Sequence, residues 1–211
     1  MTFNIKTLGR VLVAVFALSA VAVSSASAAQ FTVSPGTILT APQLPTAVTT
    51  FTGDSGQVIC QKAMYPGVVA EEVTEGGAKD VVFTLSPEIE GCEGLESETA
   101  VDPTGCDIVL YPTGTLDIKC PTGKNIDIKE AELCEITVRP QKAVPKVTYT
   151  KDPEDAKSII VDISSEGIQY EEHGLFCASQ NKLTKNGSFQ SQITVKGEDT
   201  KGKQVSITFD P

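Results

Sequence analysis

Six cysteines constrain this chain more than any other feature of its sequence. They fall between positions 60 and 177 and are Cys60, Cys92, Cys106, Cys120, Cys134 and Cys177. An even number of cysteines in an exported chain is typical of disulfide-bonded domains, so we predict three disulfides. No two cysteines have Cys-x-x-Cys spacing and His173 is the single histidine, so the sequence predicts neither a metal site nor a cofactor.

The segment GCDIVLYPTGTLDIKC places Cys106 and Cys120 at mirror positions about Thr113. Pro112 and Gly114 suit the first and last positions of a three-residue hairpin loop. The predicted register pairs Tyr111 with Thr115, Leu110 with Leu116, Ile108 with Ile118 and Cys106 with Cys120. The cysteines then occupy a non-hydrogen-bonded site, where Cα atoms are about 4.5 Å apart. A disulfide tolerates about 4.4–6.8 Å, so we predict a cross-strand bridge.

The other four cysteines leave the connectivity open, because spacing alone does not determine it. Cys60 ends the strand-like run after Gly56, and Cys92 lies just beyond the run VVFTL. Sequential strands are usually adjacent. We therefore predict Cys60–Cys92, and by the same reasoning Cys134–Cys177. A link from Cys120 to Cys134 would overturn both the hairpin register and these pairings.

Residues 1–29 have the order of a secretory signal peptide. Lys6 and Arg10 precede the apolar run VLVAVFALSAVAV, and small residues follow it. The run is too short to span a bilayer comfortably, although an uncleaved N-terminal anchor is the alternative. We predict cleavage after Ala28 or Ala29, no membrane span thereafter, and one domain over residues 30–211. The domain would be secreted or associated with the cell envelope.

Apolar and polar residues alternate with period two through most of residues 30–211. Thr, Val and Ile dominate these runs, and turn residues recur about every eight to twelve positions, as in all-β domains. An Asn186-Gly187 turn and a turn within Lys196–Gly202 are among the predicted connections. The pattern predicts a single antiparallel β-sandwich, for which an immunoglobulin-like shape is one form.

The charge and the aromatic content disfavour several classes of partner. The formal net charge is −10, and loss of Lys6 and Arg10 makes it more negative, so nucleic acid and anionic membranes are repelled. The chain has no tryptophan and only four scattered tyrosines. Sugar-binding β-domains usually stack sugars on exposed aromatic side chains, so this composition gives glycan binding little support.

A catalytic site would have to use His173, with Glu171 or Glu172 orienting the imidazole. No strand–Gly-x-Ser-x-Gly–helix context supplies a nucleophile, so we interpret this segment as a polar strand end.

The acidic segment Glu88–Glu98 is interpreted as a solvated loop that lacks the order of an EF-hand; calcium binding there is left open. Asn186 also begins an Asn-Gly-Ser glycosylation sequence, but Asn-Gly is first a turn signal.

Several strand and turn motifs resemble a loose group of small exported proteins of soil actinobacteria. They are FTGDSGQVIC, the Gly105-Cys106 pair, IKCPTGKNIDI, CEITV, GIQY and the terminal TVKGED…VSITF. They are spread over most of residues 30–211. The resemblance implies export and an all-β fold, and it brings no activity and no catalytic residue.

The favoured function is a non-enzymatic structural or interaction module that binds an unidentified protein or envelope component. The alternative is a module for an extracellular glycan or small molecule, which a concave pocket would favour. A secreted hydrolase is the third possibility, and it would require His173 to lie against a serine.

Overall fold

The structure, a computed structural model, describes residues 29–73, 79–94, 97–130 and 134–211. The predicted signal peptide, apart from Ala29, lies outside these residues. The described residues form β-strands and turns, which confirms the all-β prediction. None of them belongs to a helix that could cross a membrane.

Eighteen strands follow one another along the described part of the chain. They are β1 (Gln30–Thr32), β2 (Ile38–Thr40), β3 (Thr49–Gly53), β4 (Gly56–Met64), β5 (Gly67–Val73), β6 (Lys79–Leu85), β7 (Glu88–Gly94), β8 (Ser97–Asp102), β9 (Asp107–Tyr111), β10 (Thr115–Lys119), β11 (Ile126–Glu130), β12 (Cys134–Val138), β13 (Gln141–Pro145), β14 (Val147–Lys151), β15 (Ile159–His173), β16 (Leu183–Glu198), β17 (Gln204–Val205) and β18 (Thr208–Asp210).

Eight of these strands close on themselves into an antiparallel β-barrel. Pairing runs from β16 through β3, β4, β7, β8, β11 and β12 to β15, and β15 pairs again with β16. We call these eight strands the barrel. The predicted β-sandwich, including its immunoglobulin-like form, is therefore wrong. Alternation with period two fixes only which side chains face inward, and it is the same for a sandwich and a barrel.

The length of β15 and β16 explains how one sheet contains sixteen strands. The C-terminal end of β16 pairs with β2, and the sheet continues through β5, β6, β9 and β10 to β13. One residue after β13, β14 pairs with the first half of β15. The second group of strands thus also returns to β15. Phe31 packs on Phe83 and Tyr149 there, and the three rings belong to the same core cluster as the buried side chains of the barrel. The short pair β1–β18 stands apart from this large sheet.

The β9–β10 hairpin has the predicted register. Leu110 pairs with Leu116 and Ile108 with Ile118, and Gly114 has a φ of 82°. A positive φ is readily adopted only by glycine, so this turn explains the glycine at the end of the loop. The turn predicted near the C-terminus is also present, since the N–H of Gly202 donates to the carbonyl of Asp199.

The predicted Asn186-Gly187 turn is wrong, because both residues lie inside β16. A Cβ on Gly187 would lie 2.9 Å from the carbonyl oxygen of Ile168 and 2.9 Å from the Tyr170 ring. Glycine is therefore required here for close packing of β15 on β16 rather than for a turn. The side-chain amide of Asn186 is held by hydrogen bonds described below.

The three disulfides are the pairs that the sequence predicts. Cys60 and Cys92 face each other across β4 and β7, with Cα atoms 3.9 Å apart. Cys106 and Cys120 close the β9–β10 hairpin at a Cα distance of 4.0 Å. Cys134 and Cys177 have Cα atoms 5.2 Å apart and join β12 to the connection between β15 and β16. Three disulfides suit an oxidising environment.

Ser165 provides the first testable prediction, since its hydroxyl is fully buried and has no hydrogen-bond partner among the described residues. An unsatisfied buried hydroxyl carries a desolvation penalty, so Ser165→Ala is expected to raise the free energy of unfolding by about 1 kcal/mol. Urea denaturation measures the change. Ser191→Ala is the control, because the Ser191 hydroxyl lies 2.9 Å from that of Thr49, and this change is expected to be destabilising. Loss of stability in Ser165→Ala would contradict the assignment.

Candidate functional site

The connection between β15 and β16 exposes two adjacent large apolar side chains. We call residues 174–182 the Leu175 loop. Leu175 is 87% exposed and Phe176 is 71% exposed, the highest values among the large apolar residues that the structure describes. Single exposed apolar residues are common, but adjacent ones on one protrusion mark interaction sites. The Leu175 loop is therefore the candidate binding surface.

A disulfide anchors this loop directly beside its apolar tip. Cys177 follows Phe176 in the chain and is bonded to Cys134 at the start of β12. Both cysteines are buried, with exposures of 6% and 3%. The bond therefore fixes the backbone next to Phe176 to the wall of the barrel.

A buried carboxylate provides the second anchor. Glu172, at the end of β15, is fully buried. Its Oε1 accepts the N–H of Ser55 at 2.9 Å, and its Oε2 accepts the Ser55 hydroxyl at 2.7 Å and the N–H of Ser179 at 2.8 Å. These hydrogen bonds satisfy the carboxylate, as a buried charge requires. Glu172 thus ties the β3–β4 turn to the Leu175 loop.

The β3–β4 turn also holds the loop through its own side chains. The Ser55 hydroxyl accepts the N–H of Ala178 at 2.8 Å, and the Ser179 hydroxyl donates to the carboxylate of Asp54. The Asn186 side-chain amide donates to Asp54 Oδ1 at 2.6 Å. The hydrogen bonds from Ser179 and Asn186 lower the pKa of the Asp54 carboxyl. The turn and the loop therefore form one hydrogen-bonded unit.

Tyr170 supports this unit from inside the barrel. Its hydroxyl accepts the N–H of Asp54 at 2.6 Å and donates to Asn186 Oδ1 at 3.1 Å. Burial raises the pKa of Tyr170, so the hydroxyl stays protonated and able to donate. A Cβ on Gly53 would lie 3.0 Å from the Tyr170 ring, which explains a glycine at that position.

The structure does not assemble the catalytic arrangement considered from the sequence. His173 Nδ1 lies 2.8 Å from Asn181 Oδ1, and His173 Nε2 lies 3.7 Å from Glu171 Oε2. Glu172 points the other way, into the network with Ser55. Among the described residues, no hydrogen bond joins His173 to a serine.

The acidic segment is extended rather than a loop. Glu88, Glu90 and Glu93 are exposed along β7 and Glu98 is exposed on β8, while Glu96 lies outside the described residues.

One group of potential metal ligands occurs within the described part of the chain. The ligand atoms of Cys134, Glu172 and Cys177 lie within 4.8 Å of one another. Both sulfur atoms are joined in a disulfide, and the carboxylate accepts three hydrogen bonds. This cluster is therefore an anchor of the Leu175 loop.

Sequence reasoning missed Leu175 and Phe176. The available signal was the pair of large apolar residues between Gly174 and Cys177, where the alternation of β15 has already ended. It also missed Ser55, whose partner Glu172 is 117 positions away.

The comparisons with known proteins add no relative. No family model, no curated protein and no solved structure matches this chain.

Proposed function

We propose that this protein is a non-enzymatic interaction module, secreted or held at the cell envelope, that binds a protein partner through Leu175 and Phe176. The exposure of these two adjacent side chains on an anchored loop is the observation that carries the proposal. The partner surface that fits them is an apolar cleft, in which both side chains would be removed from water.

The anchoring of the loop supports binding because it reduces the entropy lost on association. A flexible loop would have to be ordered when the partner binds, and that ordering weakens affinity. Here the Cys134–Cys177 bond and the hydrogen bonds of the Ala178 and Ser179 N–H groups hold the backbone directly after the tip before any partner arrives. Leu175 and Phe176 are thus presented in a defined position.

The proposed location rests on the disulfides and on the N-terminal sequence. Three disulfides form and persist in oxidising compartments such as the extracellular space. The signal-peptide pattern of residues 1–29 supports the same location. At this location, the Leu175 loop would bind a protein of the envelope or of the extracellular medium.

Site-specific photo-crosslinking tests the proposal. A photoreactive phenylalanine analogue replaces Phe176 in the full-length chain, which is expressed and exported by its native cell. We expect one discrete crosslinked protein of the envelope or medium, because the side chain at this position would lie inside the partner's cleft. Mass spectrometry of the crosslinked band identifies the partner.

Val73 is the matched control position, since it is 70% exposed and lies on β5, in another part of the fold. The same analogue at Val73 is expected to give no such band. Leu175→Ser combined with the analogue at position 176 is expected to weaken the band. Equal crosslinking from both positions, or none from position 176, would refute the proposed binding surface.

A further inference from the structure

The barrel contains an apolar cavity that the proposed interaction surface does not use. Its volume is about 60 Å³, and its walls come from the barrel strands and from the β9–β10 hairpin. Sixteen residues line it, and fifteen of them are apolar. We infer that this cavity is a binding site for the end of a slim aliphatic chain.

The chemistry of the walls selects a ligand end without polar atoms. Thr49 is the one lining residue with a polar side-chain atom, and its hydroxyl already contacts Ser191 Oγ at 2.9 Å and Gln43 Oε1 at 2.8 Å. A water molecule needs two to four polar partners, which these walls do not offer. A hydrocarbon chain needs no hydrogen-bond partners, so it can occupy this cavity without leaving a polar group unsatisfied.

The size of the cavity selects a narrow guest. An engineered apolar cavity of about 150 Å³ binds benzene, and the cavity of about 60 Å³ in this barrel has less than half of that volume. Pockets for drug-sized ligands are about 300–1,000 Å³. The cavity therefore accepts the last few atoms of a linear chain and excludes a ring.

The position of the half-buried lining residues indicates where the chain enters. Ile89, Val101, Pro103 and Ile126 are only partly buried, as is Phe189 within β16, whereas Ile128 and Ile168 are 3% and 2% exposed. Val101 and Ile126 lie at the ends of β8 and β11 that are remote from Cys134. The entrance is therefore at the end of the barrel opposite the Leu175 loop, beside the β9–β10 hairpin, which connects β8 to β11 there and also lines the cavity.

Titration of the isotope-labelled domain with two six-carbon alcohols tests this site. 1-Hexanol has a slim chain, whereas cyclohexanol carries a ring. We expect 1-hexanol to cause saturable NMR shifts of the Ile128 and Ile168 methyl groups, with an affinity about tenfold or more above that of cyclohexanol. Equal affinities, or no saturable shift at these methyl groups, would overturn the inference.

A variant at the entrance provides the second arm. Val101→Phe is expected to weaken 1-hexanol binding about tenfold or more, because the larger side chain closes the entrance. Val81→Phe is the matched control, since Val81 is also half-buried but lies outside the cavity lining. This variant is expected to bind 1-hexanol with unchanged affinity. Unchanged binding in a folded Val101→Phe domain would also overturn the inference. Ile126→Phe replaces it if that domain does not fold.

Discussion

Replacing both Cys134 and Cys177 by alanine is expected to lower the free energy of unfolding by about 4 kcal/mol. The two cysteines are 43 positions apart, so the bond closes a long loop in the unfolded chain. In the chain-entropy model, the stabilisation grows with the length of the closed loop and reaches about 4 kcal/mol at this length. Both residues are buried, so the change also removes packing in the folded state.

The matched control is the double alanine variant at Cys106 and Cys120. These residues are 14 positions apart, and the same model gives a loss of about 3 kcal/mol. Urea denaturation of the oxidised wild type and both variants measures the three free energies. The prediction is contradicted if the Cys134–Cys177 variant is as stable as the wild type or loses less than the control.

The local parts of this fold were predictable from the sequence because nearby residues determine them. The Pro112–Gly114 turn sets the hairpin register, and the register places Cys106 opposite Cys120. The Cys60–Cys92 bridge was also predicted, but β5 and β6 lie between β4 and β7 in the chain, so no turn sets this pairing. In the hairpin, alternation and the turn residues carry enough information to pair two strands.

Closure of the barrel could not be predicted in this way. It depends on the pairing of β12 with β15 and of β16 with β3, which are remote in the sequence. Alternation assigns each side chain to a face but does not identify the neighbouring strand. The same limit applies to Glu172. Its position in the strand indicates which face its side chain is on, but it does not identify Ser55 and Ser179 as its hydrogen-bond partners.

Replacing Glu172 by leucine is expected to lower the free energy of unfolding by about 3 kcal/mol or more. The carboxylate is fully buried and accepts three hydrogen bonds, from the Ser55 N–H, the Ser55 hydroxyl and the Ser179 N–H. A buried donor that loses its acceptor costs about 1–3 kcal/mol. An apolar replacement does not recover this cost, because two of the donors are backbone N–H groups that remain in place.

Glu172→Gln is expected to be intermediate. The glutamine amide keeps one acceptor oxygen, but its NH₂ group must face at least one of the donors that now contact the two carboxylate oxygens. Because the donors belong to the β3–β4 turn and the Leu175 loop, both variants should also release the loop. We therefore expect faster amide hydrogen exchange at Ser55 and Ser179.

Glu171→Leu is the control for charge and position. Glu171 is the preceding residue, and its Oε1 lies 2.7 Å from Nη2 of Arg139. The side chains of Glu171 and Arg139 are 18% and 51% exposed. A partly exposed ion pair of this kind contributes about 1 kcal/mol or less. Denaturation in urea should therefore separate the two leucine variants by about 2 kcal/mol or more. Equal stability of Glu171→Leu and Glu172→Leu would mean that the buried carboxylate does not hold the turn and the loop together.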